Sequence, residues 1–216
     1  MTITFPRPLP SYRLSRCTFR LVAQVASVAS HHGEKLNMTM IGSPVWHIDV
    51  ETVPLWDDER REWTAWVNSL RGGLKSFLAH DVTRKPRAYP GAKTPADIAS
   101  GWDGTAVVTS LGAAGALGLS SLPANYKIRV GDRIGILSSS GHRGYYEALE
   151  DVTANGSGVA TVTVSPFLHT SIFAADDVAT LWLPSCQFSI DWQSWSEVTT
   201  GGPTPISFRG VQRIMA

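Results

Sequence analysis

The sequence predicts a mainly β fold: an antiparallel β-sandwich with one flanking α-helix, interrupted by a second β unit. Three observations lead there. Trp46, Ile48 and Val50 alternate with His47, Asp49 and Glu51, the cleanest two-residue period in the chain. Only between Asp57 and Arg71 does the period become helical, with Trp63, Trp66, Val67 and Leu70 at i, i+3, i+4 and i+7. A basic, Pro/Gly-punctuated connection over residues 83–104 then separates this first unit from a run of short β segments.

Each element has a local reason. Pro6, Pro8 and Pro10, at every second position, suit an extended arm over residues 2–11. Strands are expected over residues 17–26 and 37–53, on either side of the polar break Ser30-His31-His32-Gly33. The helix over residues 57–71 is capped by Asp57, has Asp58 and Glu59 at the positive end of its dipole, and stops at Arg71-Gly72-Gly73. Residues 74–79 read as a strand. Beyond the connection, strands are expected over 105–111, 116–119 and 128–137, the last bent at Gly131-Asp132. Residues 145–152 and 159–164 read as a pair joined across Asn155-Gly156, a hairpin signal. The chain closes with strands near 178–183, 188–192 and 206–211. Residues 1–85 and 180–216 are therefore expected to form the sandwich, and 86–179 the β unit inserted into it.

Composition narrows the function classes. The 216 residues contain 43% hydrophobic and 17% charged residues, enough for a buried core in one sandwich-sized domain or one small pair. Nineteen Lys and Arg against eighteen Asp and Glu give a net charge of +1, without the basic excess of a nucleic-acid or anionic-membrane binder. No apolar run reaches the roughly 18 residues of a membrane span, and the Pro-broken start resembles neither signal peptide nor anchor, so a protein made in the cytosol and kept there, or leaving with a particle, is expected. Cys17 and Cys186 lie far apart and outside any Cys-x-x-Cys pattern, so both read as buried thiols.

The sequence holds no hydrolase Gly-x-Ser-x-Gly, phosphate-binding loop, dinucleotide fingerprint or His-Glu-x-x-His. No catalytic, cofactor-binding or metal-ligating residue is assigned, and the expectation is a protein that is not an enzyme. His31 and His32 read as an exposed loop before a ligand pair, since neighbours on a strand face opposite sides. Asp57-Asp58-Glu59 reads as helix capping before a cation site, and Asp176-Asp177 as a turn. Arg84-Lys85-Pro86-Arg87 reads as a solvated linker, with contact to phosphates or an anionic glycan as the alternative. Trp63 and Trp66 read as core, while Trp192 and Trp195 leave an exposed contact surface open. The stretch from Gly112 to Gly118 lacks the Lys and Ser/Thr of a phosphate cradle.

Several segments, taken in order, carry a resemblance. Trp46-His47-Ile48-Asp49-Val50-Glu51-Thr52-Val53-Pro54-Leu55, then Trp63-x-x-Trp66-Val67-x-Ser69-Leu70-Arg71-Gly72, then Phe77-Leu78-Ala79-His80-Asp81, are similar to the N-terminal part of bacteriophage distal tail proteins and related minor tail proteins of long flexible-tailed phages. Val130-Gly131-Asp132-x-Ile134, the stretch from Tyr146 to Gly158, and Val164-Ser165-Pro166-Phe167-Leu168 resemble the inserted β domain of that family, with His169 standing where its sequences often carry Arg. Ile206-Ser207-Phe208 resembles its closing strand, and the resemblance implies that the insert, residues 86–179, is a small β-barrel of the oligonucleotide/oligosaccharide-binding (OB) type. The resemblance implies a structural virion protein at the tail tip: a hexameric ring joining tail tube protein to tail hub, tape-measure and receptor-binding proteins, with DNA passing through unbound and no membrane insertion. Near-neutral charge suits such a conduit, because a strongly basic ring would hold DNA by counterion release. The residue 2–11 arm would then reach a neighbouring subunit. The alternative is a carbohydrate-binding module that recognises the host surface.

Overall fold

A computed structural model describes residues 3–29, 36–197 and 202–214. The strands are β1 (Arg7–Pro8), β2 (Leu14–Ala29), β3 (Leu36–Thr52), β4 (Ser76–His80), β5 (Thr105–Leu111), β6 (Ala116–Ser120), β7 (Lys127–Ile128), β8 (Arg133–Leu137), β9 (Arg143–Ala148), β10 (Val152–Thr153), β11 (Ala160–Ser165), β12 (Val178–Thr180), β13 (Ser185–Glu197) and β14 (Ile206–Gln212). One α-helix, α1 (Asp57–Ser69), lies between β3 and β4. The fold is mainly β, as the sequence predicts.

The strands before α1 and after the insert form one sheet in the order β1-β4-β13-β14-β3-β2, antiparallel except for β1 on β4. Alternation sorts its two faces. Phe19, Trp46, Ile48, Val50, Phe208, Phe188 and Phe77 point inward and are buried, with Trp63, Trp66, Val67 and Leu70 of α1 against them. The layer opposite the sheet is thus α1 plus one edge of the barrel, where a sandwich would have a second sheet. The other face is polar, and Asp49 there pairs with Arg20 (2.9 Å) and Arg209 (3.2 Å).

The start of α1 differs from expectation. Asp57 is the first helical residue and its carboxylate pairs with Arg60 and Arg61. The N-cap is Trp56, whose indole has no acceptor to offer the free amides; only the Glu59 carboxylate reaches back, accepting the Trp56 N–H at 3.4 Å. The helix stops at Ser69, two residues early, as Arg71, Gly72 and Gly73 turn left-handed (φ 51°, 66° and 95°).

Between β4 and β13 the insert closes into an antiparallel barrel, ordered β11-β6-β5-β12-β8-β9, six strands where the OB type has five. Its core holds Val108, Leu117, Leu119, Ile134, Ile136, Tyr146, Val162 and Phe173. Leu181 also belongs to it, so the barrel runs slightly past the expected boundary at 179. Asn155-Gly156 does make a tight turn, with the Asn155 N–H bonded to the Val159 carbonyl (2.9 Å). The two expected strands do pair antiparallel, but only at their far ends, Val164 opposite Ala148 and Ser165 opposite Glu147; nearer the turn β10 pairs with β7 and β11 with β6. The turn's local chemistry was legible, but the partners are set by barrel closure.

Residues 3–12 pack on their own chain. Arg7 and Pro8 pair with Phe77 and Leu78, the Trp66 indole N–H donates to the Pro8 carbonyl (3.0 Å), and Tyr12 donates to Glu62 (2.7 Å).

The two units meet at a packed junction. Tyr145 of β9 points out of the barrel into the sheet core, edge-on to Trp46 (centroids 5.4 Å, 88°) and 5.7 Å from Phe19. The Trp46 indole donates to the Tyr145 carbonyl at 2.7 Å. The buried Arg133 guanidinium lies 4.2 Å from the Trp46 ring centre and 2.8 Å from the Glu147 carboxylate, off the N–H direction, so the latter is an ion pair without a hydrogen bond.

Candidate functional site

The feature that asks most for a partner is the outer half of β2 and β3. β14 pairs β3 only over His47–Glu51. Beyond that, among the described residues, the two strands pair only with each other, from Gln24 opposite Gly42 to Ala29 opposite Leu36, and project as a two-stranded arm. Register shifts around Gln24 separate the arm from the sheet. No Asp, Glu, Lys or Arg occurs over residues 21–33 or 36–48.

Cross-strand register assigns the arm's faces. Val25, Met40, Ser27 and Met38 share one, while Ala26, Thr39, Val28, Asn37 and Ile41 share the other. Apolar residues on both are open: Met38 is 65% exposed, Val28 67% and Ile41 69%. With Val25 and Met40 they expose on the order of 500 Å² of apolar surface, divided between the two faces. A lone two-stranded ribbon is marginal in water. The free edge of β2 adds unpaired N–H and C=O groups, whereas the opposite sheet edge is two residues long and flanked by Pro6, Pro8 and Pro10.

The residues singled out for chemistry are scattered. His31 and His32 lie outside the described residues. His47 sits on the polar sheet face, where burial and Arg20 hold its pKa below the ordinary value. Among the described residues no three His, Cys, Asp or Glu side chains converge on a metal-sized position. Asp176 adopts φ 71° in a turn, and Asp177 accepts the Ala174 (2.8 Å) and Ser139 (3.2 Å) N–H groups. Gly112 to Gly118 forms a single turn and the start of β6.

Cys186 is buried and Cys17 half-buried, both unpaired. Burial, helped by Asp81, pushes the Cys17 thiol up to about 11. Trp63 and Trp66 are core. The later pair divides: Trp195 packs 6.2 Å from Phe208, while Trp192 is 43% exposed. Arg84, Lys85 and Arg87 line a cleft against the Val130–Asp132 turn.

The arm's reach was missed at its ends, because the strand expected over 17–26 extends to Ala29. Its signal was present as the charge-free run with Met38 and Met40 in alternation. Comparison with protein-family models and with curated proteins finds no match.

Proposed function

We propose that this chain is a structural protein that assembles with copies of itself into a ring at the distal end of a phage tail, joining the tail tube to the hub and receptor-binding apparatus, with no catalysis of its own. The observation that carries the assembly part is the uncharged arm, open and apolar on both faces. A ribbon with one apolar face is satisfied by one neighbour. With two apolar faces, it is covered when a subunit lies on either side, the arrangement of a closed ring rather than an isolated pair. The Pro-flanked edge at β1 leaves face-on burial of the arm, not continuous strand addition, as the way copies meet. The tail location rests on the ordered resemblance of the Trp46–Leu55, Trp63–Gly72 and Val130–Gly158 segments, and the net charge of +1 fits a conduit for DNA.

Light scattering on the purified chain and negative-stain images test this, with sixfold rings around a central hole as the expected result. Ile41→Lys puts a charge on the arm face without touching the core and should convert the rings to monomers while leaving the melting temperature of the monomer unchanged. A wild-type chain that stays monomeric at high concentration overturns the reading, and a monomer that binds cell-wall glycan favours a host-recognition module instead.

A further inference from the structure

We infer that the cleft between the Asp81–Pro90 connection and the Val130–Asp132 turn binds a phosphate group carried on a partly apolar body. The cleft measures about 570 Å³, in the range of small-molecule sites, and lies where sheet and barrel meet. Its two walls are tied together from behind: the buried Asp132 carboxylate accepts the backbone N–H of Arg87 (2.9 Å) from one wall and of Arg129 (2.8 Å) from the other. The buried Pro86 stiffens the first wall. The cavity is therefore formed before anything enters it, which spares a ligand the cost of ordering the loop.

Its charges decide the ligand class. Three cations line it, Arg84, Lys85 and Arg87, against one lining carboxylate, Asp132. The acids around the cleft are already engaged: Asp132 as above, Asp81 by the Thr83 N–H (3.0 Å) and hydroxyl (2.6 Å), Asp151 by Arg129 (2.7 Å) and the Val130 N–H (2.8 Å), and Glu147 by Arg133 (2.8 Å). Arg84 forms ion pairs at 3.8 Å with both Asp81 and Glu147, too far for a hydrogen bond to either, and donates to the Gly131 carbonyl of the opposite wall at 3.4 Å. Lys85 donates to the Ala92 carbonyl at 3.4 Å, lies over the Trp182 ring, and acts at longer range on Asp97. Arg87 is exposed and has no carboxylate within 4.0 Å among the described residues, though its charge acts at longer range on Asp132 and Asp151.

Two guanidinium groups and an ammonium beside a preformed hollow suit an oxyanion with several acceptor oxygens, and phosphate is the best match for the guanidinium fork. Exposed Val82 and Val130 with Pro90 give the same cleft apolar walls, which would cover the carbon skeleton of a sugar phosphate. This inference does not depend on the ring reading.

The test is calorimetric titration of the full chain with inorganic phosphate and with glucose 6-phosphate, at constant ionic strength set with chloride. Saturable binding is expected for both, tighter for glucose 6-phosphate, and weakened at least about tenfold in a Lys85→Ala/Arg87→Ala variant, whose exposed side chains can be removed without disturbing the core. Unchanged melting in chloride shows that the variant is folded. The site is overturned if neither ligand saturates, or if the double variant binds as wild type does. Equal affinity for the two ligands overturns the apolar-body part.

Discussion

Tyr145→Ala should uncouple the barrel from the sheet. Tyr145 is 1% exposed and is the one barrel side chain among the buried residues of the sheet core, set against Trp46 and Phe19. Emptying a site of that size costs about 3–5 kcal/mol through lost burial and the cavity left behind. The edge-on contact with Trp46 is part of that loss, at about 0.5–1.5 kcal/mol. For a protein of this length each kcal/mol moves the melting temperature by about 2–4 °C, so a fall of about 6–20 °C is expected.

The loss falls on contacts between units and not within either core, so the single transition should also split, with sheet and barrel melting separately. Calorimetry gives the number of transitions, and the combined fluorescence of the eight tryptophans, Trp46 among them, gives a second signal. A fall below 2 °C, with one transition coincident in both signals, would refute the idea that Tyr145 couples the units.

Gly158 takes φ +72°, and a Cβ there would run into the Leu122 carbonyl oxygen, so Gly158→Ala should cost at least about 2 kcal/mol in urea unfolding. Trp56→Asp supplies the N-cap acceptor that α1 lacks and should raise stability by about 1 kcal/mol, read as a higher urea midpoint at unchanged slope. The folded Cys17 thiol titrates above the ordinary value of 9.0, near 11, so its contribution is intact below pH 9 and is lost as pH rises from 9 towards 11. Cys17→Ala should therefore flatten the alkaline fall in stability between those pH values, and parallel wild-type and variant curves would contradict the assignment.

Much of the fold was legible because burial on one face leaves a period in the sequence. Trp46, Ile48 and Val50 lie on the inner face of β3, and Trp63, Trp66, Val67 and Leu70 on the inner face of α1, as their spacing requires. Periodicity was silent where two faces are buried. Tyr145 and Tyr146 are neighbours pointing opposite ways, one into the sheet core and one into the barrel, and only adjacent buried aromatics could have signalled a strand shared between two cores. Pairing beyond Asn155-Gly156 was legible only in part: β9 and β11 do pair at Ala148 and Val164, but the partners of β10 and of the rest of β11 are chosen by closure of the whole barrel. The arm and the cleft were visible only as composition, an uncharged run and a basic run. What each faces depends on segments distant in the chain.

The barrel leaves and re-enters the sheet through neighbouring strands, since His80 at the end of β4 stands directly opposite Ser185 at the start of β13. A short reverse turn joining those two residues would delete everything from 81 to 184 and keep every rung of the remaining sheet in register. The insertion is thus a cassette plugged into a hairpin loop, exchangeable without redesign of its holder. Only the socket around Trp46 and Phe19 would need a new lid where Tyr145 had been.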